Sequence, residues 1–112
     1  MYSVLFYIEN DKNFVKDFIL NQDIKTQETI YNVIRLLREF GNELRAPYSK
    51  YLEDGIFELR CKGTDNQIRI LYFFIKGRKV VLTNAFVKKQ QKTPAKEIEL
   101  AKKRRQLFLE EE

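Results

Sequence analysis

The sequence predicts an α+β fold in the order β-α-α-β-β-β-α, with a helical hairpin on one face of an antiparallel sheet and a C-terminal helix. Three observations support this prediction. Residues 56–93 contain three strand-like runs separated by two clusters of turn-forming residues. Two stretches between residues 12 and 41 carry apolar side chains at helical spacing. A Thr-Pro pair at 93–94, with Thr93 as the N-cap and Pro94 as the first helical residue, is typical of a helix start and predicts the last helix.

The N-terminal part predicts one strand and two helices. Residues Tyr2 to Ile8 are almost all β-branched or aromatic, with apolar side chains at both parities, which indicates a strand covered at least partly on both faces. Asn10-Asp11 offers an N-cap for a helix over residues 12–20. The second helix is expected to begin near Ile24 and to end at Gly41, a residue suited to the C′ position.

Two turns set the pairing of the three central strands. The first turn is expected at Gly63–Asn66, and the second at Gly77-Arg78, a pair that suits a two-residue hairpin loop. A short irregular strand within residues 48–54 is expected to precede them. The residues that flank the turns then pair, Lys62 with Gln67 and Lys76 with Lys79.

This pairing places Arg60, Arg69 and Phe86 in one row across three strands. Because side chains alternate along a strand, all three project from one face. The opposite face is more apolar and is expected to carry the helices. Its side chains are Phe57, Leu59, Cys61, Ile68, Ile70, Tyr72, Phe74, Val81, Ala85 and Val87, whereas Leu82 is assigned to the arginine face.

The arginine row has two interpretations. Two arginines directly opposite each other repel, and an anion between them would offset that repulsion. Two guanidinium groups beside an aromatic ring suit a phosphate and a base of RNA or DNA. Alternatively, each arginine pairs with a nearby acid such as Glu58 on a solvated face. The residues leave both interpretations open.

Composition restricts the classes of function. The 112 residues carry a formal net charge of +5, which favours a polyanionic partner, and are expected to form a single domain. The chain has one cysteine and no histidine, which excludes an internal disulfide and histidine-based catalysis and makes a zinc enzyme an unsuitable assignment. No signal peptide and no apolar run of membrane length is visible, so we expect a cytoplasmic protein.

Three segments together resemble a known protein family. They are Leu52–Arg60, Ile68–Phe74 and Phe86–Lys89 followed by Lys92-Thr93-Pro94. This pattern resembles the HigB-type toxins of the RelE/ParE superfamily, in particular their phage-derived branch. The resemblance implies a RelE-like fold and the toxin of a type II toxin–antitoxin module. It also implies cleavage of messenger RNA, usually in the ribosomal A site, and neutralisation by an antitoxin, commonly a HigA-like helix-turn-helix protein.

The resemblance also implies a site. Arg60 and Arg69 match the family's two sheet arginines, and Lys88 and Lys89 match the lysines after the last strand. Lys50 is a weaker match. We therefore expect these five residues to be catalytic, with no cofactor and no metal. Three further residues are expected to bind the substrate: Lys62, Lys92 and Phe86, the last by stacking on a base. Many relatives carry a tyrosine where Phe86 stands, so a tyrosine-dependent mechanism is not expected here.

A metal-independent ribonuclease needs a group that removes the proton of the RNA 2′-hydroxyl, and a lysine among other cations could have a pKa low enough for this. Two other functions remain open. A ParE-like toxin shares the fold but acts on DNA gyrase, and a non-catalytic RNA-binding module would bind without cutting. The arginine row and the lysine pair favour RNA cleavage.

Overall fold

The computed structural model describes residues 1–111 and confirms the α+β fold. Its elements are β1 (Ser3–Phe6), α1 (Phe14–Leu20), α2 (Ile24–Phe40), β2 (Ser49–Glu53), β3 (Ile56–Lys62), β4 (Gln67–Ile75), β5 (Lys79–Lys88) and α3 (Ala95–Glu110), with a 3₁₀ turn at Gly41–Glu43. The irregular strand expected within residues 48–54 is β2, and a bulge interrupts its pairing with β3. No helix among residues 1–111 is both long enough and apolar enough to cross a membrane. The domain expected over residues 1–112 extends one residue beyond this range.

The five strands form one mixed sheet in the order β1-β5-β4-β3-β2. Neighbours from β2 to β5 are antiparallel, but β1 pairs with β5 in parallel. The expectation of a wholly antiparallel sheet is therefore corrected at this edge. After β1 the chain passes through α1 and α2 and enters the sheet again at the opposite edge, so that β5 returns beside β1.

Helices cover both faces of the sheet and create two apolar clusters. On one face, α1 packs against β5 and α2 against β3. The larger cluster, between these two helices and the sheet, includes Ile19, Ile30, Leu37, Ile70 and Leu82. On the other face, α3 covers a smaller cluster that includes Tyr7, Leu71, Phe73, Val81 and Phe86. The arginine face is thus partly closed by the last helix.

The β4–β5 hairpin differs from its prediction in loop length. Ile75 pairs with Lys79, so the loop has three residues, 76–78, rather than two. Gly77 and Arg78 both adopt positive φ, at 84° and 55°. The pair is therefore the turn itself, as expected, but Lys76 joins the loop and shifts the strands by one residue.

A bulge at Thr83 reverses this shift. Tyr72 pairs with Leu82 and Leu71 with Asn84, which leaves Thr83 as the extra residue. Its hydroxyl donates to the Leu71 carbonyl at 3.1 Å. The predicted pairing of Arg69 with Phe86 is therefore confirmed. It results from a three-residue loop and a bulge, whereas the prediction had a two-residue loop and no bulge. Between the loop and the bulge the faces are exchanged: Val81 lies under α3 and Leu82 under the hairpin, opposite to the prediction.

Two helix starts are also corrected. Asn13 caps α1, with its side-chain oxygen 3.1 Å from the Lys16 amide nitrogen, while Asn10 and Asp11 form a tight turn with positive φ. At α3, Pro94 occupies the cap position without a side-chain bond. The hydroxyl of Thr93 donates instead to Glu58. The start and end of α2 agree with the prediction.

Candidate active site

The predicted row of Arg60, Arg69 and Phe86 is confirmed, and an acid lies beside its two arginines. Glu58 is on the same face of β3 as Arg60 and is fully buried. Its Oε1 lies 3.2 Å from Arg60 Nε and 3.6 Å from Arg69 Nε. Both arginines therefore pair with Glu58, as in one of the two interpretations of the sequence. The pairs are largely buried, however, and do not lie on the solvated face that this interpretation expected. The pairing with Glu58 offsets the repulsion between guanidinium groups on paired positions.

Arg69 lies deeper than Arg60. It is 7% exposed, and its Nη1 donates to the Ile68 carbonyl at 3.0 Å. Its buried Nε has no hydrogen-bond partner among residues 1–111. Burial is the largest cause that lowers the pKa of Arg69; Glu58 opposes this effect and Arg60 adds to it. Arg60 keeps 29% of its side chain exposed, so it is the more accessible of the two to a ligand.

Lys88 lies among the charged groups of the site. Its side chain is partly buried at the end of β5. Burial lowers its pKa, the positive charge of Arg69 lowers it further, and Arg60 and Lys50 contribute in the same direction against Glu58. Lys50 pairs with Glu58 across β2 and β3, which places it on the same face. The other three predicted lysines, Lys62, Lys89 and Lys92, are exposed.

Three neighbouring clefts run across this end of the molecule. The Tyr48 pocket, of about 420 Å³, is lined by Thr29, Val33, Pro47, Tyr48, Arg60, Cys61, Lys62, Gln67 and Arg69. The Arg69 cleft, of about 500 Å³, is lined by Gln67, Arg69, Lys88, Lys89, Gln90 and Gln91. The lysine cleft, of about 320 Å³, is lined by ten residues, including Lys50, Glu58, Lys88, Lys92 and Thr93. Arg69 is shared by the first two clefts and Lys88 by the last two, so the three join into one basic surface.

Phe86 is placed differently from the other predicted site residues. It is only 8% exposed and belongs to the apolar cluster under α3. The cleft that it borders contains Lys89 but none of the other predicted site residues. The expectation that Phe86 stacks on a base conflicts with this position, because the last helix covers the arginine face more fully than the sequence indicates. Phe86 instead supports the sheet beneath Arg69.

Sequence reasoning missed the central role of Glu58 and the role of Thr93. Glu58 was considered only as one possible partner of the arginines, although its spacing of two residues from Arg60 places both side chains on one face. Thr93 was assigned to a helix cap. It lies just before α3, and its hydroxyl donates a hydrogen bond to Glu58 Oε2, whereas both arginines contact Oε1. No signal within residues 93–95 distinguishes this contact from a cap.

The arrangement can bind an anion and transfer a proton. Two guanidinium groups are held at the base of a basic surface, and a lysine of lowered pKa borders them. Within residues 1–111, no group of three or more histidine, cysteine, aspartate or glutamate side chains is placed to hold a metal ion.

Comparison with known proteins assigns the chain to a family. The family described as "Phage derived protein Gp49-like (DUF891)" matches residues 17–106. Two curated relatives, each named "Probable endoribonuclease HigB1", come from Mycobacterium tuberculosis strains CDC 1551 / Oshkosh and ATCC 25618 / H37Rv. Each is 36% identical to this chain over 76 residues, which is 68% of the chain. The matched region spans 60% of the length of these relatives. The match confirms the resemblance to the phage-derived branch, and the chain belongs to the Gp49-like family of phage-derived proteins.

Proposed function

We propose that this protein is the toxin of a type II toxin–antitoxin module and that it inhibits translation by cutting messenger RNA on the ribosome. Its family and its relatives named as probable endoribonucleases support this function. The observation that carries it is the cluster in which Glu58 holds Arg60 and Arg69 beside Lys88, on a surface open to a polyanion. Lys88, whose pKa is lowered chiefly by burial, borders this ion-paired cluster in a cleft, which is the arrangement expected of a functional site.

Arg60 and Arg69 bind the scissile phosphate in this proposal. Arg60 donates a hydrogen bond from Nε to Glu58 Oε1, and its two terminal nitrogens make no hydrogen bond to another residue within 1–111. They can therefore donate to phosphate oxygens. Arg69, at the floor of the Arg69 cleft, stabilises the extra negative charge that develops as the phosphorus gains a fifth oxygen. Its low exposure strengthens this effect, because little water screens the charge.

Lys88 is the proton-transfer group. In its neutral form it takes the proton of the 2′-hydroxyl, whose oxygen then attacks the adjacent phosphorus. The bond from phosphorus to the 5′ oxygen breaks, which leaves a 2′,3′-cyclic phosphate and a 5′-hydroxyl. A protonated lysine of the lysine cleft, Lys50 or Lys92, supplies the proton to the leaving oxygen. Glu58 is unsuited to the role of base because both of its oxygens already accept hydrogen bonds.

The same basic surface supports the choice of partners. A net charge of +5 favours binding to the ribosome and its mRNA. The cognate antitoxin, a HigA-like helix-turn-helix protein in this proposal, would need acidic or apolar groups to cover the clefts. No membrane partner is proposed.

Substitution of Lys88 tests the function. Lys88→Met removes the amine and keeps most of the aliphatic stem. Lys79→Met, at the exposed opposite end of β5, makes the same change of charge and is the matched control. Each chain is induced in a bacterial host, and the 5′ ends of mRNA are mapped. We expect new ends in register with codons for the wild type and Lys79→Met, and a loss of about 100-fold or more for Lys88→Met.

Three other results would contradict the proposal. If Lys88→Met cuts mRNA as efficiently as the wild type, Lys88 takes no part in the mechanism. Growth arrest without new mRNA ends would favour an action on DNA gyrase, which a supercoiling assay would show. An absence of growth arrest would favour a non-catalytic RNA-binding module. Arg69→Ala is a poor test, because it would leave buried Glu58 without its deeper partner and disturb the fold.

A further inference from the structure

The mechanism above gives roles to Arg60 and Arg69 but to no other residue that lines the Tyr48 pocket. The pocket lies beside the β2 edge of the sheet, between residues of α2 and β3. Its volume of about 420 Å³ is near the lower end of the range of ~300–1,000 Å³ for small-molecule sites. This size suits one nucleotide rather than a larger ligand.

An exposed aromatic ring borders this pocket. Tyr48 is 41% exposed, in contrast to Phe86. It directly precedes β2, and its carbonyl accepts the amide proton of Arg60 at 2.8 Å. The row of two arginines therefore has an aromatic residue at each end, Phe86 buried under α3 and Tyr48 at the open edge. Only Tyr48 has enough accessible surface to stack on a base.

The other lining residues complete a site for a nucleotide. Arg60 and Lys62 supply positive charge for the phosphates, and Thr29 and Gln67 are polar groups that can bond to a base edge. Val33 and Cys61, both buried, form the apolar floor. A flat aromatic side, an apolar floor and a few polar groups are the features by which proteins hold an unstacked base.

We propose that the Tyr48 pocket binds the base of a nucleotide next to the scissile phosphate of the mRNA, with Tyr48 stacked on that base. This inference rests on the proposed function, since it takes the phosphate bound by Arg60 and Arg69 as its reference point. The pocket then contributes to the base preference of the cut, and the polar residues Thr29 and Gln67 determine which bases it accepts.

Two substitutions of Tyr48 separate stacking from packing. Tyr48→Ala removes the ring, whereas Tyr48→Phe keeps the ring and removes only the hydroxyl. Tyr31→Ala is the control, because Tyr31 has a similar exposure of 43% and lies outside the three clefts. Thermal melting of each purified variant establishes that it is folded.

The first measurement maps mRNA ends after induction, as above. For Tyr48→Ala we expect about a 5- to 150-fold loss of cutting, the range that base–aromatic stacking spans, and a flatter distribution of the bases flanking the cut. Tyr48→Phe and Tyr31→Ala should stay within about twofold of the wild type. If the wild type cuts and Tyr48→Ala cuts as often with the same flanking bases, the pocket is not a base site.

The second measurement does not need cutting. A 2′-O-methyl RNA trinucleotide that contains 2-aminopurine cannot be cleaved, and its fluorescence falls when the probe base stacks. We expect quenching with the wild type and Tyr48→Phe, and a weaker affinity with Tyr48→Ala. Tyr48-dependent quenching without mRNA cutting would support the base site and reject the ribonuclease function. Quenching that is absent, or unchanged in Tyr48→Ala, would overturn the base site whatever the cutting assay shows.

Discussion

Replacing Glu58 by glutamine tests how far the arginine pair depends on one buried charge. Glu58→Gln keeps the size of the side chain and its ability to accept a hydrogen bond from the Thr93 hydroxyl. It removes the negative charge that faces Arg60 and Arg69. Arg69, which is 7% exposed, would then be a largely desolvated cation beside a second cation. We therefore expect the substitution to destabilise the fold and to misplace both guanidinium groups.

The magnitude follows from the burial of Glu58, which is 0% exposed. Removal of one partner from a buried ion pair costs about 3–5 kcal/mol. An unfolding entropy of ~2.1 cal/mol/K per residue, applied to 112 residues, gives about 0.24 kcal/mol/K. The melting temperature should therefore fall by about 13 °C or more.

Thermal unfolding followed by circular dichroism measures this shift. Glu53→Gln is the matched control, because Glu53 pairs with Lys102 at 2.6 Å but keeps 55% of its side chain exposed. An exposed pair contributes little, so the control should shift by less than about 4 °C. Adding Arg69→Met to Glu58→Gln should restore part of the loss, since the uncompensated cation is removed. Equal shifts for Glu58→Gln and Glu53→Gln would refute the argument.

Three further predictions concern single residues. If neutral Lys88 is the base, cleavage should rise with pH and level off below the ordinary pKa of 10.5. In the unfolded chain the pKa of Lys88 returns to its ordinary value, so protonated Lys88 favours the unfolded state and destabilises the fold at neutral pH. Lys88→Met should therefore melt no lower than the wild type. A lower melting temperature would contradict this. Burial raises the pKa of Cys61 to about 12, so its reaction with a disulfide reagent should require unfolding, and rapid modification of the native protein would argue against it. A Cβ at Gly41 (φ +53°) would lie 1.9 Å from the Tyr2 ring. Gly41→Ala should therefore cost about 3 kcal/mol or more in urea unfolding, against about 1–2 kcal/mol for Gly77→Ala, whose Cβ would meet only the Lys79 side chain at an ordinary contact distance of 3.9 Å.

Local sequence predicted most elements of the fold but not all strand pairings. The turn at residues 63–66 is short and rich in turn formers, so the β3–β4 register followed directly from it. The run Val80–Thr83 is apolar or β-branched at both parities, so its alternation did not reveal the bulge at Thr83. The parallel partner of β1 lies more than 70 residues away in the sequence, and nothing within β1 itself identifies that partner.

The candidate site was predictable where it depends on register and unpredictable where it depends on burial. The positions of Arg60 and Arg69 followed from the β3–β4 turn. The burial of Phe86 and Glu58 depends on how closely α3 and the preceding loop pack on the sheet. That packing is a tertiary property, and residues 86–95 contain no local signal of it. The prediction accordingly placed Phe86 in an open site, whereas α3 covers its ring.

The bulge at Thr83 has a consequence for changes in chain length. Leu82 and Asn84, which flank Thr83, pair with the consecutive residues Tyr72 and Leu71 of β4, so the bulge adds one residue without changing the pairs on either side of it. Deleting Thr83 alone would therefore leave the pairing of Arg69 with Phe86 and the face of Val81 unchanged. Deleting one loop residue together with Thr83 would give a regular hairpin with the arginine row unchanged. Among members of the family, β5 should therefore tolerate the loss of one residue at the bulge without a compensating change in the loop.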